Sequence, residues 1–138
     1  MVSLTELRLR AARAAIAAAC TPPAVDAHLG AIVLREDQQV LAGRVLDAIA
    51  RHGGCLLADD VGRGKTYVAL AVARGWTRPL VVAPAALRSM WREAARRTGV
   101  ACSVVSHEEL SRGRLPAERP DGIIVDESHH FRTTSTRR

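Results

Sequence analysis

Two short stretches of this chain carry residues able to handle a phosphate ester. The first reads Ala58-Asp59-Asp60-Val61-Gly62-Arg63-Gly64-Lys65-Thr66. Glycines at 62 and 64 let the backbone curl so that its amides face inward, toward phosphate oxygens. A helix beginning near Lys65 adds unsatisfied amides and the positive end of its dipole. Lys65 is the only lysine among 20 basic residues. Its compact ammonium can reach outer phosphates where a planar guanidinium fits less well. The Thr66 hydroxyl can ligate magnesium. The backbone of Asp60, Val61, Gly62, Arg63 and Gly64 would form the cradle. The usual phosphate loop has a glycine six residues before its lysine, and Asp59 stands there instead. A glycine turn with no ligand is the plainer alternative; the order strand, loop, Lys-Thr, helix argues against it.

The second stretch is Ile123-Ile124-Val125-Asp126-Glu127-Ser128-His129-His130, an apolar run that ends in two carboxylates. Asp126 can hold magnesium, directly or through water, and Glu127 can orient a water for attack on a γ-phosphate. Alone, a strand ending in Asp-Glu is equally a solvated strand end. Following a glycine loop, it gains a purpose. His129 and His130 have no partner ligands at metal-binding spacing, and His129 is expected to hydrogen-bond the site to its surroundings.

These stretches must be positioned by a scaffold. Residues 4–19 read as a helix of Ala, Leu and Arg, stopped by Thr21, Pro22 and Pro23. Residues 21–33 read as a linker. The spacing of Leu41, Val45, Ala48 and Ile49 predicts a helix over 37–52, ended by Gly53 and Gly54. Cys55 to Ala58 suits a buried parallel strand. A helix over 66–74 follows the loop. Leu80 to Ala83 is a second strand, and Leu87, Trp91, Ala94 and Ala95 form the apolar face of the helix behind Pro84. Ala101 to Val105 is a third strand; Ser106 and Glu109 have capping-box spacing. A polar loop spans 112–120, and Gly122 to Val125 is the fourth strand. This alternation predicts an α/β fold, a parallel sheet with helices on both faces, whose ligands bind beyond the carboxyl ends of the strands. There are no internal repeats.

The bulk composition agrees. The chain has 138 residues, 48% of them hydrophobic and 3% aromatic, enough for one modest core built on Leu, Val, Ile and Ala. The net charge of +6 favours a polyanionic partner, although it also reflects a general taste for arginine. Cys20, Cys55 and Cys102 are odd in number and widely spaced, which predicts buried thiols in a reduced, cytoplasmic setting. No apolar run reaches the ~20 residues of a membrane span.

Taken together, these residues resemble helicase superfamily 2, and within it the Swi/Snf-type double-stranded DNA translocases. The likeness runs from about Leu34 to Arg138. Asp59 to Thr66 resembles the family's first motif, which carries an acidic residue where other phosphate loops have glycine, and Asp126-Glu127-Ser128-His129 resembles its DExH motif. Leu34-Arg35-Glu36-Asp37-Gln38 resembles the upstream element whose glutamine recognises adenine, so the resemblance makes Gln38 the adenine reader; a solvated helix-start glutamine is the alternative. Val82-Ala83-Pro84 with Leu87 and Trp91 resembles a motif that tracks the nucleic-acid backbone, although core packing is the simpler role for Trp91. Val105 to Leu110 resembles a further strand-edge motif.

The resemblance implies a P-loop NTPase of RecA-like fold, with residues 34–138 as an incomplete first lobe. It implies ATP and Mg as cofactors, with Lys65, Asp126 and Glu127 catalytic and Thr66 and Asp126 on the metal. DNA, favoured double-stranded, is the implied partner, together with a second RecA-like lobe that supplies arginine fingers. The family's Ser-Ala-Thr element and that second lobe are not in the chain, which is expected to be a truncated or fragmentary motor, inactive by itself and exposing an apolar sheet edge. A non-enzymatic nucleotide- or DNA-binding module that docks on a partner remains an alternative. An unrelated P-loop kinase is disfavoured by Asp59 and by the Asp-Glu-Ser-His run.

Overall fold

Among the residues that the computed structural model describes, 4–58 and 64–127 without the side chains of 14 and 16–20, the backbone forms five α-helices and five short strands. Helix α1 spans Leu4–Cys20. Its Leu4, Leu7 and Leu9 are exposed. The stretch expected as a linker contains a small antiparallel hairpin, β1 (His28–Leu29) and β2 (Ile32–Val33), turned by Gly30 at φ 59°. Leu29 is buried in the core, and the Ala31 amide donates to the Arg97 carbonyl at 2.8 Å. These residues are thus fastened to the body of the fold rather than spanning between parts of it.

Helix α2, Glu36–His52, ends where Gly53 takes a left-handed conformation and donates to the Ile49 carbonyl. Gly43, midway along it, lies so close to Pro23 that a Cβ would strike the Pro23 carbonyl oxygen. Helix α3, Lys65–Ala73, is apolar on nearly every side, with Val68, Leu70, Ala71, Val72 and Ala73 all buried. It packs against α2 and against α4, Arg88–Thr98. A helix hydrophobic all round belongs inside a structure. Pro84 caps a 3-10 turn, Ala85–Leu87, that runs directly into α4. On α4 the expected apolar face is found: Trp91, Ala94 and Ala95 are buried, and Leu87 is half-buried.

Among the described residues the sheet has three parallel strands: β3 (Pro79–Ala83), β4 (Ser103–Ser106) and β5 (Gly122–Val125), in the order β4-β3-β5. Leu80 pairs with Ser103 on one side and Ile123 on the other; Val82 pairs with Val105 and Val125. Central β3 is buried throughout, as its unbroken Leu-Val-Val-Ala run requires. Val81, Ala83 and Ile124 join the core that contains α3 and Trp91. On the other face, Ile123 and Val125 are 56% and 42% exposed. Helix α5, His107–Ser111, follows β4 through a complete capping box between Ser106 and Glu109.

One expected strand is absent. Residues 55–58 form neither strand nor helix; Cys55 is exposed and Leu56 is 72% exposed, while Leu57 alone packs on the core. A lone extended segment leaves its backbone groups unpaired, so without a neighbour in the sheet these residues have no ladder to join. The expectation of buried thiols fails at Cys55 for the same reason. Cys102 is half-buried, and burial pushes its thiol pKa up. Among the described residues, no helix is long and apolar enough to cross a membrane.

Candidate nucleotide site at the carboxyl edge of the sheet

Because the three strands are parallel, the residues that follow them emerge at one edge. Pro84 follows β3, His107 follows β4, and Asp126 follows β5. Asp126 is held there through three different atoms. Its amide donates to the Val82 carbonyl at 2.8 Å, extending the β3–β5 ladder by one bond. Its carbonyl accepts from His107 Nε2 at 3.0 Å. Its carboxylate Oδ2 accepts from Trp91 Nε1 at 2.8 Å. Trp91 is only 3% exposed, so its ring is core and presents no face for base stacking. A buried indole N–H needs an acceptor, and here the acceptor is the carboxylate read as a magnesium ligand.

Glu127 is the next residue, and its side chain is exposed. Its φ of 54° places it in the left-handed region, alone among the described non-glycine residues. That conformation costs an L-residue about 1–2 kcal/mol. Strain of this kind concentrates where a side chain must be aimed rather than merely accommodated.

The other half of the site begins at Gly64. Residues 59–63, with Asp60, Val61, Gly62 and Arg63, lie outside the described residues, as do Ser128, His129 and His130. Gly64 is the N-cap of α3 with φ 73° and ψ 35°. Lys65 and Thr66 open the helix and are half-buried, in the first turn where helix amides have no partner within the helix. Burial of Val68 and Leu70 just behind them fixes the direction in which this turn points.

Gln38 is not a solvated helix-start residue. It is 5% exposed, and its Oε1 accepts from the Arg35 amide at 3.0 Å. Its Nε2 lies against Gly64, so closely that a Cβ on the glycine would collide with it. Gln38 therefore ties the start of α2 to the start of α3. The cap is reinforced on its outer side, where the Arg35 guanidinium beside Asp37 holds that carboxyl below its ordinary pKa.

A third group of polar contacts braces the floor of the edge. Arg88, at the start of α4, bonds Glu109 of α5 at 2.6 Å, with the two side chains 30% and 27% exposed. Chiefly through that bond, and also through the Ser106 amide, the Glu109 carboxyl is lowered to about 2. The elements that carry Trp91 and His107 are thereby joined to one another as well as to Asp126.

The structure thus assembles Asp126, Trp91 and His107 at one point, and Gln38 and Gly64 at another. Helix α3 packs on α4, which carries Trp91. The Trp91 and His107 contacts with Asp126 were not foreseen from the sequence. One signal did exist for the first: a tryptophan on a buried helix face must find an acceptor for its N–H.

The chain has detectable relatives. The SWI/SNF-related matrix-associated actin-dependent regulator of chromatin subfamily A-like protein 1 of Xenopus tropicalis is 31% identical over 115 residues, covering 66% of this chain and 12% of the relative. The Bos taurus protein of the same name gives the same values. The Caenorhabditis elegans homolog is 28% identical over 121 residues, covering 68% of this chain and 18% of the relative. The chain therefore spans less than a fifth of the length of these curated relatives. No family model matches the chain. No solved structure matches it either. The similarities establish a SWI/SNF-type relationship over about two thirds of the chain.

Proposed function

We propose that this chain forms the nucleotide-binding part of an ATP-dependent DNA translocase of the Swi/Snf type, in the first RecA-like lobe. The observation that carries the reading is Asp126, fixed through amide, carbonyl and carboxylate at the edge of a parallel sheet where ligands of such sheets bind. The amide bond extends the ladder as any residue there would; the hold on the carboxylate itself is what suits a group that must present an oxygen to a cation.

The donor set suits magnesium. Thr66 and Asp126 offer hard oxygen ligands; among the described residues the indole of Trp91 bonds Oδ2, and Oδ1 is the oxygen we assign to a cation. Bound there, Mg would neutralise charge on the phosphate oxygens of ATP. The chain's own residues do the rest. Gly64 and the amides of the loop before it receive the phosphates, Lys65 adds a point charge, Glu127 orients the attacking water, and Gln38 reads the adenine. Regions 1–20, 21–33 and 34–138 correspond to an N-terminal helix, its connection and the partial lobe, although the 28–33 hairpin is built into the lobe's packing.

Among the described residues the 55–58 segment has no strand partner and β5 has a neighbour on one side alone, which supports a chain that is incompetent alone and requires a second lobe. The same two features leave room for the second reading, a nucleotide- or DNA-binding module that docks on a partner.

The single lysine supplies a clean test. An acyl-phosphate ATP probe should modify Lys65 as the chain's one side-chain amine, and Mg·ATP should protect it. Lys65→Ala should lose nucleotide affinity. If ATP gives no protection and Lys65→Ala binds as the parent does, the nucleotide reading fails. DNA-stimulated ATPase that appears only when a second lobe is joined to the chain separates the motor from the docking module.

A further inference from the structure

Asp126 could have been held by its backbone alone, since the Val82 and His107 bonds already fix its Cα. The third bond is different in kind. It joins the carboxylate itself to a side chain 35 positions away, on a helix buried against the sheet. The donor is a rigid, flat group with a single N–H, locked by packing in the same core as Val81, Ala94 and Ile124. Such a donor can set the rotation of a carboxylate about its Cβ–Cγ bond, which two backbone contacts cannot.

We infer that Trp91 is a positioning residue for cation binding: its indole N–H, 2.8 Å from Oδ2, orients the Asp126 carboxylate so that Oδ1 faces a magnesium–nucleotide complex. The inference rests on the nucleotide reading above and adds the group that acts through Asp126. Outer partners of ligating carboxylates have this role widely, and their loss costs about 10- to 100-fold in metal affinity. Trp91 also fills space in the core. The two roles separate because only the N–H acts on the metal.

The test uses the full chain and two probes, Mn2+ with ATP and ATP in EDTA. Trp91→Phe keeps an aromatic ring and removes the donor. The expected result is about a tenfold loss of Mn2+ affinity in the presence of ATP, with metal-free ATP affinity changed by less than about twofold. Should Trp91→Phe not fold, benzothienylalanine at 91, which matches the indole in shape but lacks the N–H, serves instead. Asp126→Asn is the reference. When Trp91→Phe is added to Asp126→Asn, no further loss of metal affinity is expected, because the indole acts through that carboxylate.

A Trp91→Phe chain that melts at lower temperature yet binds Mn2+ with ATP as the parent does would reduce the indole to packing and overturn the inference, while leaving the nucleotide reading intact if Asp126→Asn still abolishes metal dependence. A parent chain whose ATP binding ignores metal and ignores Lys65→Ala removes both.

Discussion

Gln38 and Gly64 lie against one another: the amide nitrogen of the glutamine comes so close to the glycine that a Cβ there would collide with it. The two residues are far apart in sequence and belong to the starts of different helices, α2 and α3. Gly64 has φ 73° as well, so any substitution there is strained by its backbone and must also displace the end of the Gln38 side chain. Gly64→Ala is therefore expected to lower stability by at least about 1–2 kcal/mol, the left-handed penalty alone. Gln38→Ala should recover part of that loss by vacating the space. Urea titrations of the two single variants and the double variant would show the coupling; additive losses would mean that Gln38 does not hold the loop's last glycine.

Asp126 is expected to matter for folding as well as for binding. Asp126→Ala removes the acceptor of the indole N–H of Trp91, a residue 3% exposed. Stranding a buried donor costs about 1–3 kcal/mol. Asp126→Asn keeps an oxygen for the indole and should lose less. Equal melting curves for the alanine variant and the parent would contradict the hydrogen bond.

Glu127 offers the opposite sign. Glu127→Gly relieves a left-handed φ of 54°. The gain is offset by glycine's greater freedom when unfolded, so a net stabilisation of up to about 1 kcal/mol is expected. Glu127→Gln leaves the backbone strain unchanged and is the reference against which the glycine variant is read. Joined to a second lobe, both variants should lose hydrolysis. A more stable, inactive glycine variant is the signature of strain kept for use, and a destabilised one would argue that the Glu127 side chain holds the turn together.

The pH dependence of stability should carry a contribution from the Arg88–Glu109 bond. Glu109 has its pKa lowered from 4.5 to about 2, first by Arg88 and next by the Ser106 amide. A depressed carboxyl stabilises the fold above its unfolded value and loses that contribution as pH falls through its folded value. The contribution is thus full above about pH 4.5 and disappears by about pH 2. Asp37, Glu93, Glu108 and Asp121 are lowered in the same sense, so the comparison that isolates Glu109 is the parent against Glu109→Gln. The melting temperature of the variant should fall less steeply across that window; parallel curves would exclude the bond as a contributor.

The outer strand β5 predicts solution behaviour. Among the described residues it is a sheet edge, and two of its four residues, Ile123 and Val125, show apolar side chains to solvent. Exposed apolar edges invite pairing between chains. Ile123→Thr with Val125→Lys should raise the concentration at which the chain stays monomeric in light scattering. Melting temperature should change little, since neither side chain is buried. Unchanged self-association would place the sticky surface elsewhere, with the exposed leucines of α1 the next to test.

Local pattern alone determined a good deal here. The alternation of apolar runs with helical spacing announced α2, α3, β3 and β5 nearly to the residue and the apolar face of α4, because these patterns are local properties of each segment. The Ser106–Glu109 cap was legible too, since its partners are three residues apart. The phosphate and acidic stretches could be named as candidates from residue type and spacing.

Tertiary structure decided what those residues touch. The 55–58 segment has strand composition but no strand, because a parallel strand exists only beside another and composition cannot supply the neighbour. The 28–33 hairpin looked like a linker because its anchor, Leu29 in a core made by later helices, is invisible locally. The Trp91 bond to the Asp126 carboxylate joins positions 35 apart, and the approach of Gln38 to Gly64 joins the starts of two helices. Contacts of this kind arise from how helices cross and strands register, which depends on the whole packed core at once, and so only the folded chain could place them.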